Sequence, residues 1–146
     1  MESIERFKTA QETCYEEVLE EIKNGEKQTH WMWFIFPQIF GLGSSSTAEY
    51  YGIKTLNEAV EYLDDEVLGP RLIELCEILL SHENKTANEI FGSIDSMKLR
   101  SSMTLFNYVS ENPIFKEVID KYFNGELDEL TINICNIQNH NKMLKR

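Results

Sequence analysis

The sequence has 146 residues, the length of one domain, with 42% hydrophobic and 27% charged residues, so a core can form without metals or disulfides. Its 14 basic and 25 acidic residues leave a net charge of −11, which repels phosphate backbones and speaks against general nucleic-acid binding. The longest apolar run, Trp31 to Pro37, falls far short of the roughly 20 residues of a membrane-spanning helix, and Met1-Glu2-Ser3-Ile4-Glu5 lacks signal-peptide blocks; the chain reads as cytoplasmic, with no membrane partner.

Apolar residues recur with helical spacing along almost the whole chain. Ile4, Phe7, Gln11, Cys14, Tyr15, Val18, Leu19 and Ile22 form one stripe, read as a single helix of five turns stopped by Asn24-Gly25. The run Trp31-Met32-Trp33-Phe34-Ile35-Phe36 suits a buried strand and a buried helix equally. Ser46-x-x-Glu49, Thr55-x-x-Glu58 and Thr86-x-x-Glu89 have the form of capping boxes. Helices are predicted from about Leu56 to Leu63 and from about Pro70 to Ser81. Asp95 is expected to cap a helix running to Val109, and Asn112-Pro113 to open one bearing Phe115, Val118, Ile119 and Phe123, which Gly125 ends. Asp128 is expected to cap a last helix with Leu130, Ile134 and Ile137. The result is an all-α, compact single domain over residues 1–146, with six to eight helices of unequal length and a frayed basic tail at 138–146. Cys14, Cys76 and Cys135 read as buried reduced thiols, and no zinc-binding spacing occurs, so neither a metal nor a cofactor is implied.

Two segments carry residues that core packing alone does not select. In the first, His30, Trp31, Trp33 and Gln38 bring polar groups into an apolar stretch, a combination suited to a flat heterocyclic ligand. The loop Gly41-Leu42-Gly43-Ser44-Ser45-Ser46 that follows is either an anion cradle at a helix start or a plain capping loop. In the second segment, Lys98, Ser101 and Ser102 share a helix face by their spacing. Serines are mediocre helix formers, so they serve either close helix packing or a cationic, hydroxyl-lined strip for a phosphate or carboxylate. The paired carboxylates Glu16-Glu17, Glu20-Glu21 and Asp64-Asp65 read as solubilising charge, and His82 and His140 as exposed.

The run His30-Trp31-Met32-Trp33-Phe34-Ile35-Phe36-Pro37-Gln38 with Gly41-Leu42-Gly43 resembles the signature of the bacterial family called domain of unknown function 1810. The resemblance continues through Tyr51-Gly52-Ile53, Leu68-Gly69-Pro70-Arg71-Leu72, Ile90-Phe91-Gly92, Asp95, Lys98-Leu99 and Ser101 to Phe106, and covers about Arg6 to Thr131. It departs at Ser46, where relatives often have proline, and in the tail after Thr131. It implies an all-helical single domain and an association with proteins that handle ADP-ribose and related nucleotides. The label calpastatin, often attached to this family, does not fit, because this chain is compact and free of repeats.

These features predict a binding protein for a planar anionic metabolite, such as a nucleotide or, as the resemblance implies, an ADP-ribose type compound. The expected ligand-binding residues are His30, Trp31, Trp33, Gln38, Gly41, Gly43, Ser44, Tyr51, Lys98, Ser101 and Ser102. The alternatives are a hydrolase or transferase acting on such a compound, with His30 or Asp95 as general acid or base, and an interaction module with an exposed aromatic patch around Trp31 and Phe40.

Overall fold

Thr13 and Cys14 interrupt what the apolar spacing reads as one five-turn helix. The computed structural model, which describes residues 3–144, has α1 at Glu5–Glu12 and α2 at Tyr15–Asn24. Both residues at the break have low helix propensity. The break also lets the two halves meet different partners: α1 packs on the short α3 (Met32–Ile35), and α2 packs on α6 (Leu68–Ser81). Gln11, buried in the last turn of α1, fixes this arrangement. Its amide nitrogen donates to the Phe34 carbonyl at 2.8 Å and the Tyr62 hydroxyl at 3.0 Å, and its oxygen accepts from Arg71 at 3.2 Å.

The ambiguous aromatic run therefore forms a helix of one turn, followed by an extended stretch in which Ile39 makes a parallel bridge to Ile53. Next come α4 (Ser46–Tyr51) and α5 (Leu56–Asp64). Two of the three expected capping boxes are altered. Ser45, not Ser46, has the extended backbone of a cap, and its hydroxyl accepts from the Ala48 amide. Thr55 caps α5 as expected, but the Glu58 carboxylate turns to the Lys54 amide and to Arg6 instead of closing the box.

The box at Thr86 and Glu89 is complete and opens α7 (Ala87–Val109). This helix begins well before Asp95, so Asp95 lies inside α7 and does not cap it. Gly92 sits between them at φ 81°, ψ 163°, a conformation that side-chain-bearing residues avoid, and it kinks the helix. Asn112 caps α8 (Ile114–Phe123), which ends at a left-handed Asn124. Asp128 accepts from the Thr131 amide at the start of α9 (Glu129–Leu144).

That last helix corrects the frayed-tail expectation for residues 138–144, which continue α9. The Gln138 side chain explains why: its oxygen accepts from the Leu56 amide and its nitrogen donates to the Lys54 carbonyl. Lys145 and Arg146 lie outside the described residues. Among the described residues there are nine helices and one isolated bridge, an all-α single domain. The count exceeds eight because the first stripe divides and the aromatic run supplies a one-turn helix. No helix among the described residues is long and apolar enough to cross a membrane.

The core runs from Phe7 and Ile22 through Trp31 and Phe36 to Leu75, Leu79, Phe106 and Phe115. Helix α8 packs on both α6 and α7. At the α5–α6 joint the backbones nearly touch, since a Cβ on Gly69 would lie 2.1 Å from the Leu63 carbonyl oxygen. Two carboxylates read as solubilising charge are structural instead. Asp65 accepts from the Val67 and Leu68 amides and pairs with Lys8 at 2.9 Å. Glu21 takes the Gln28 and Thr29 amides, the Thr29 hydroxyl and the Trp31 indole N–H. Burial would raise the Glu21 carboxyl, but these donors outweigh it and hold the group below its ordinary pKa. Also contrary to expectation, His82 is half-buried, with its Nε2 2.7 Å from the Ile22 carbonyl.

Candidate functional site

The site starts at the one-turn α3. Residues two apart on a helix point roughly 200° away from each other, and Trp31 and Trp33 accordingly face opposite ways. Trp31 turns inward, is 1% exposed, and packs against Phe36 and Phe91. Trp33 turns outward and lines a cleft of about 380 Å³. Gln38 follows it onto the same wall, in an extended segment held by backbone bonds from the Ile53 amide to the Gln38 carbonyl and from the Phe40 amide to the Ile53 carbonyl, both 2.8 Å. Gly41 and Gly43 continue the wall, and Tyr51 at the end of α4 closes it, its ring 5.4 Å from that of Phe34.

The opposite wall is α7 after its kink. Ile94, Met97, Lys98 and Ser101 recur at i, i+3, i+4 and i+7, which places them on one helix face looking into the cleft. Asp128 and Leu130, where α9 begins, supply a third side. Ile94, Met97 and Leu130 are 72%, 66% and 65% exposed and form an apolar rim, and Ile39, Leu42 and Ala48 keep the lining mostly apolar around a few polar groups.

Charge inside the cleft is organised by Asp95. One of its oxygens lies 2.9 Å from Lys27 Nζ and the other 3.2 Å from Lys98 Nζ. Burial would raise the Asp95 carboxyl, but hydrogen bonds and charge from Lys27 and Lys98 win and keep it below its ordinary value. Thus restrained, the Lys98 ammonium sits 4.1 Å from the centroid of the Trp33 ring, a cation–π contact that ties one wall to the other.

Of the residues singled out in the sequence, Trp33, Gln38, Gly41, Gly43, Tyr51, Lys98 and Ser101 line one cleft. His30, Trp31, Ser44, Ser102 and Asp95 do not. His30 and Ser44 are exposed outside it. Trp31 is core, so the aromatic patch expected around Trp31 and Phe40 is not formed; Phe40 is 37% exposed, with the Lys54 ammonium 4.5 Å from its ring centroid. Ser102, one residue and about 100° beyond Ser101, points into the core, where its hydroxyl has no partner among the described residues. Asp95 acts on the cleft only through Lys98.

At the start of α4 the Ser45 hydroxyl accepts from the Ala48 amide, the bond of a capping loop, while Gly41 and Gly43 line the cleft. Asp128 was missed as a lining residue. Its sequence signal, an aspartate three residues before Thr131, is that of a helix cap and says nothing of a second exposed side. No group of three His, Cys, Asp or Glu side chains among the described residues is placed to hold a metal ion.

None of the curated proteins matches this sequence. The chain is similar to the crystal structure of the conserved hypothetical protein Rv1873 from Mycobacterium tuberculosis, with 44% identity, 90% of this chain and 94% of that chain covered, and a TM-score of 0.88. The family described as "Protein of unknown function (DUF1810)" matches residues 1–135, and the chain belongs to that family.

Proposed function

We propose that the chain binds a small, planar, anionic metabolite in this cleft, a nucleotide or an ADP-ribose type compound, within the cytoplasm. The observation that carries the reading is the meeting of two segments more than fifty residues apart in sequence: the indole of Trp33 and the amide of Gln38 face the ammonium of Lys98 and the hydroxyl of Ser101. A flat ring gains about 1–3 kcal/mol by stacking on an aromatic side chain, and the ammonium suits its anionic group. The cleft volume of about 380 Å³ falls within the range of ligand sites. Free thiols at Cys14, Cys76 and Cys135 suit a reducing compartment. Against the enzyme alternative, His30 stands outside the cleft and Asp95 is held between two lysines.

Thermal denaturation in the presence of AMP, ADP and ADP-ribose tests the reading. At a hundredfold excess over its Kd, a specific ligand is expected to raise Tm by roughly 5–10 °C, and Lys98→Met to abolish the rise while leaving the unliganded Tm within a few degrees. Ligand recovered unchanged after denaturation supports binding, whereas conversion supports the hydrolase or transferase. No stabilisation by any of the three contradicts the proposal.

A further inference from the structure

Asp128 has acceptor capacity that the fold does not use. A carboxylate offers about four lone-pair sites. Oδ2 is occupied by the Thr131 amide, the Thr131 hydroxyl and the Ser101 hydroxyl. Oδ1 receives no hydrogen bond among the described residues; it pairs with Arg100 Nη2 at 3.7 Å, beyond hydrogen-bond distance. Ser101 Oγ, which lines the cleft beside Asp128, donates its single proton to either the Met97 carbonyl or Asp128 and keeps lone pairs free. The cleft therefore offers a cation, Lys98, and on the Asp128 side a set of unfilled acceptors.

A ligand that only stacks and carries negative charge leaves those acceptors unmet. The matching ligand carries hydrogen-bond donors as well. The guanidinium of Arg100, 3.7 Å from Oδ1, offsets part of the Asp128 charge, which favours neutral hydroxyl donors over a second cation. Two adjacent acceptors, Asp128 Oδ1 and Ser101 Oγ, fit two adjacent hydroxyls.

We infer that Asp128, with Ser101, is the specificity-determining element of the cleft and recognises the vicinal hydroxyls of a ribose, so that the site takes ribonucleotides in preference to their deoxy analogues. This inference rests on the binding role proposed above. Asp128 touches the sugar and Lys98 the anionic group, and the two contacts set the ligand's direction in the cleft.

Calorimetric titration with AMP and with 2′,3′-dideoxy-AMP tests it, on the wild type and on Asp128→Asn. Asparagine keeps the helix cap but places an amide donor where Oδ1 accepts. The wild type is expected to bind AMP about tenfold or more tightly than the dideoxy compound, as the loss of a hydrogen bond to a charged group requires. Asp128→Asn is expected to bind both equally, at the wild-type dideoxy affinity. If the wild type binds both compounds equally, the assignment of Asp128 is overturned while the cleft remains a nucleotide site. If neither compound binds, the binding proposal and this inference fall together. The wild-type comparison decides the matter even if the variant fails to fold.

Discussion

Trp31→Ala is expected to destabilise the fold by about 3–5 kcal/mol, the cost of emptying a large buried aromatic site. The indole is 1% exposed and packs between Phe36 and Phe91, with the Lys27 ammonium 5.0 Å from its ring centroid. Its N–H donates to Glu21 at 2.9 Å, so the substitution also strips a donor from the carboxylate that organises residues 28–31. Trp33→Ala provides the contrast. Trp33 is only half-buried at the cleft wall, and its loss is expected to cost about 1 kcal/mol of stability through partial burial and the cation–π contact. Chemical denaturation of the two variants checks the pair. Equal midpoints would show that the indoles do not divide into core and cleft.

Arg6→Met is expected to cost about 3–5 kcal/mol, because it leaves the buried Glu58 carboxylate without its partner. The Arg6 side chain is 1% exposed. All five of its N–H donors have acceptors: the carbonyls of Ser3, Tyr50 and Gly52, and both oxygens of Glu58. The substitution thus frees charge and also releases two backbone carbonyls that flank Tyr51, a cleft residue. The double variant Arg6→Met, Glu58→Leu is expected to recover part of the loss, since it removes the uncompensated charge but not the orphaned carbonyls. Urea unfolding of wild type, single and double variants measures this. A single variant within 1 kcal/mol of wild type would show that the ion pair does not hold the Tyr50–Gly52 turn.

The helical character of the chain was legible because apolar periodicity is a local signal. Thr86 with Glu89, Asn112 and Asp128 mark helix starts in sequence and serve as caps in the structure. The break at Thr13–Cys14 was not legible, because the apolar stripe continues across it and the reason for the break is tertiary: α1 and α2 face different neighbours. Thr55 shows the same limit at one residue, since the Glu58 carboxylate abandons the box for an arginine 52 positions away. For the site, residue chemistry singled out Trp33 and Lys98, but not which of the two tryptophans or which of the adjacent serines would face outward. Helix phase decides that, and phase was not readable across a four-residue helix or through the kink at Gly92. Arg6 and Glu58 gave no local sign of their pairing.

The central claim, that the segments bearing Trp33 and Lys98 form one ligand site, is tested most directly by a two-dimensional amide NMR titration of the isotopically labelled protein with AMP. Saturable shifts are expected at the Trp33 indole N–H and at the amides of Gly41, Gly43 and Ser101 together, following a single binding curve. Shifts confined to one wall, shifts clustered instead on α8, or an unchanged spectrum at millimolar AMP would contradict it.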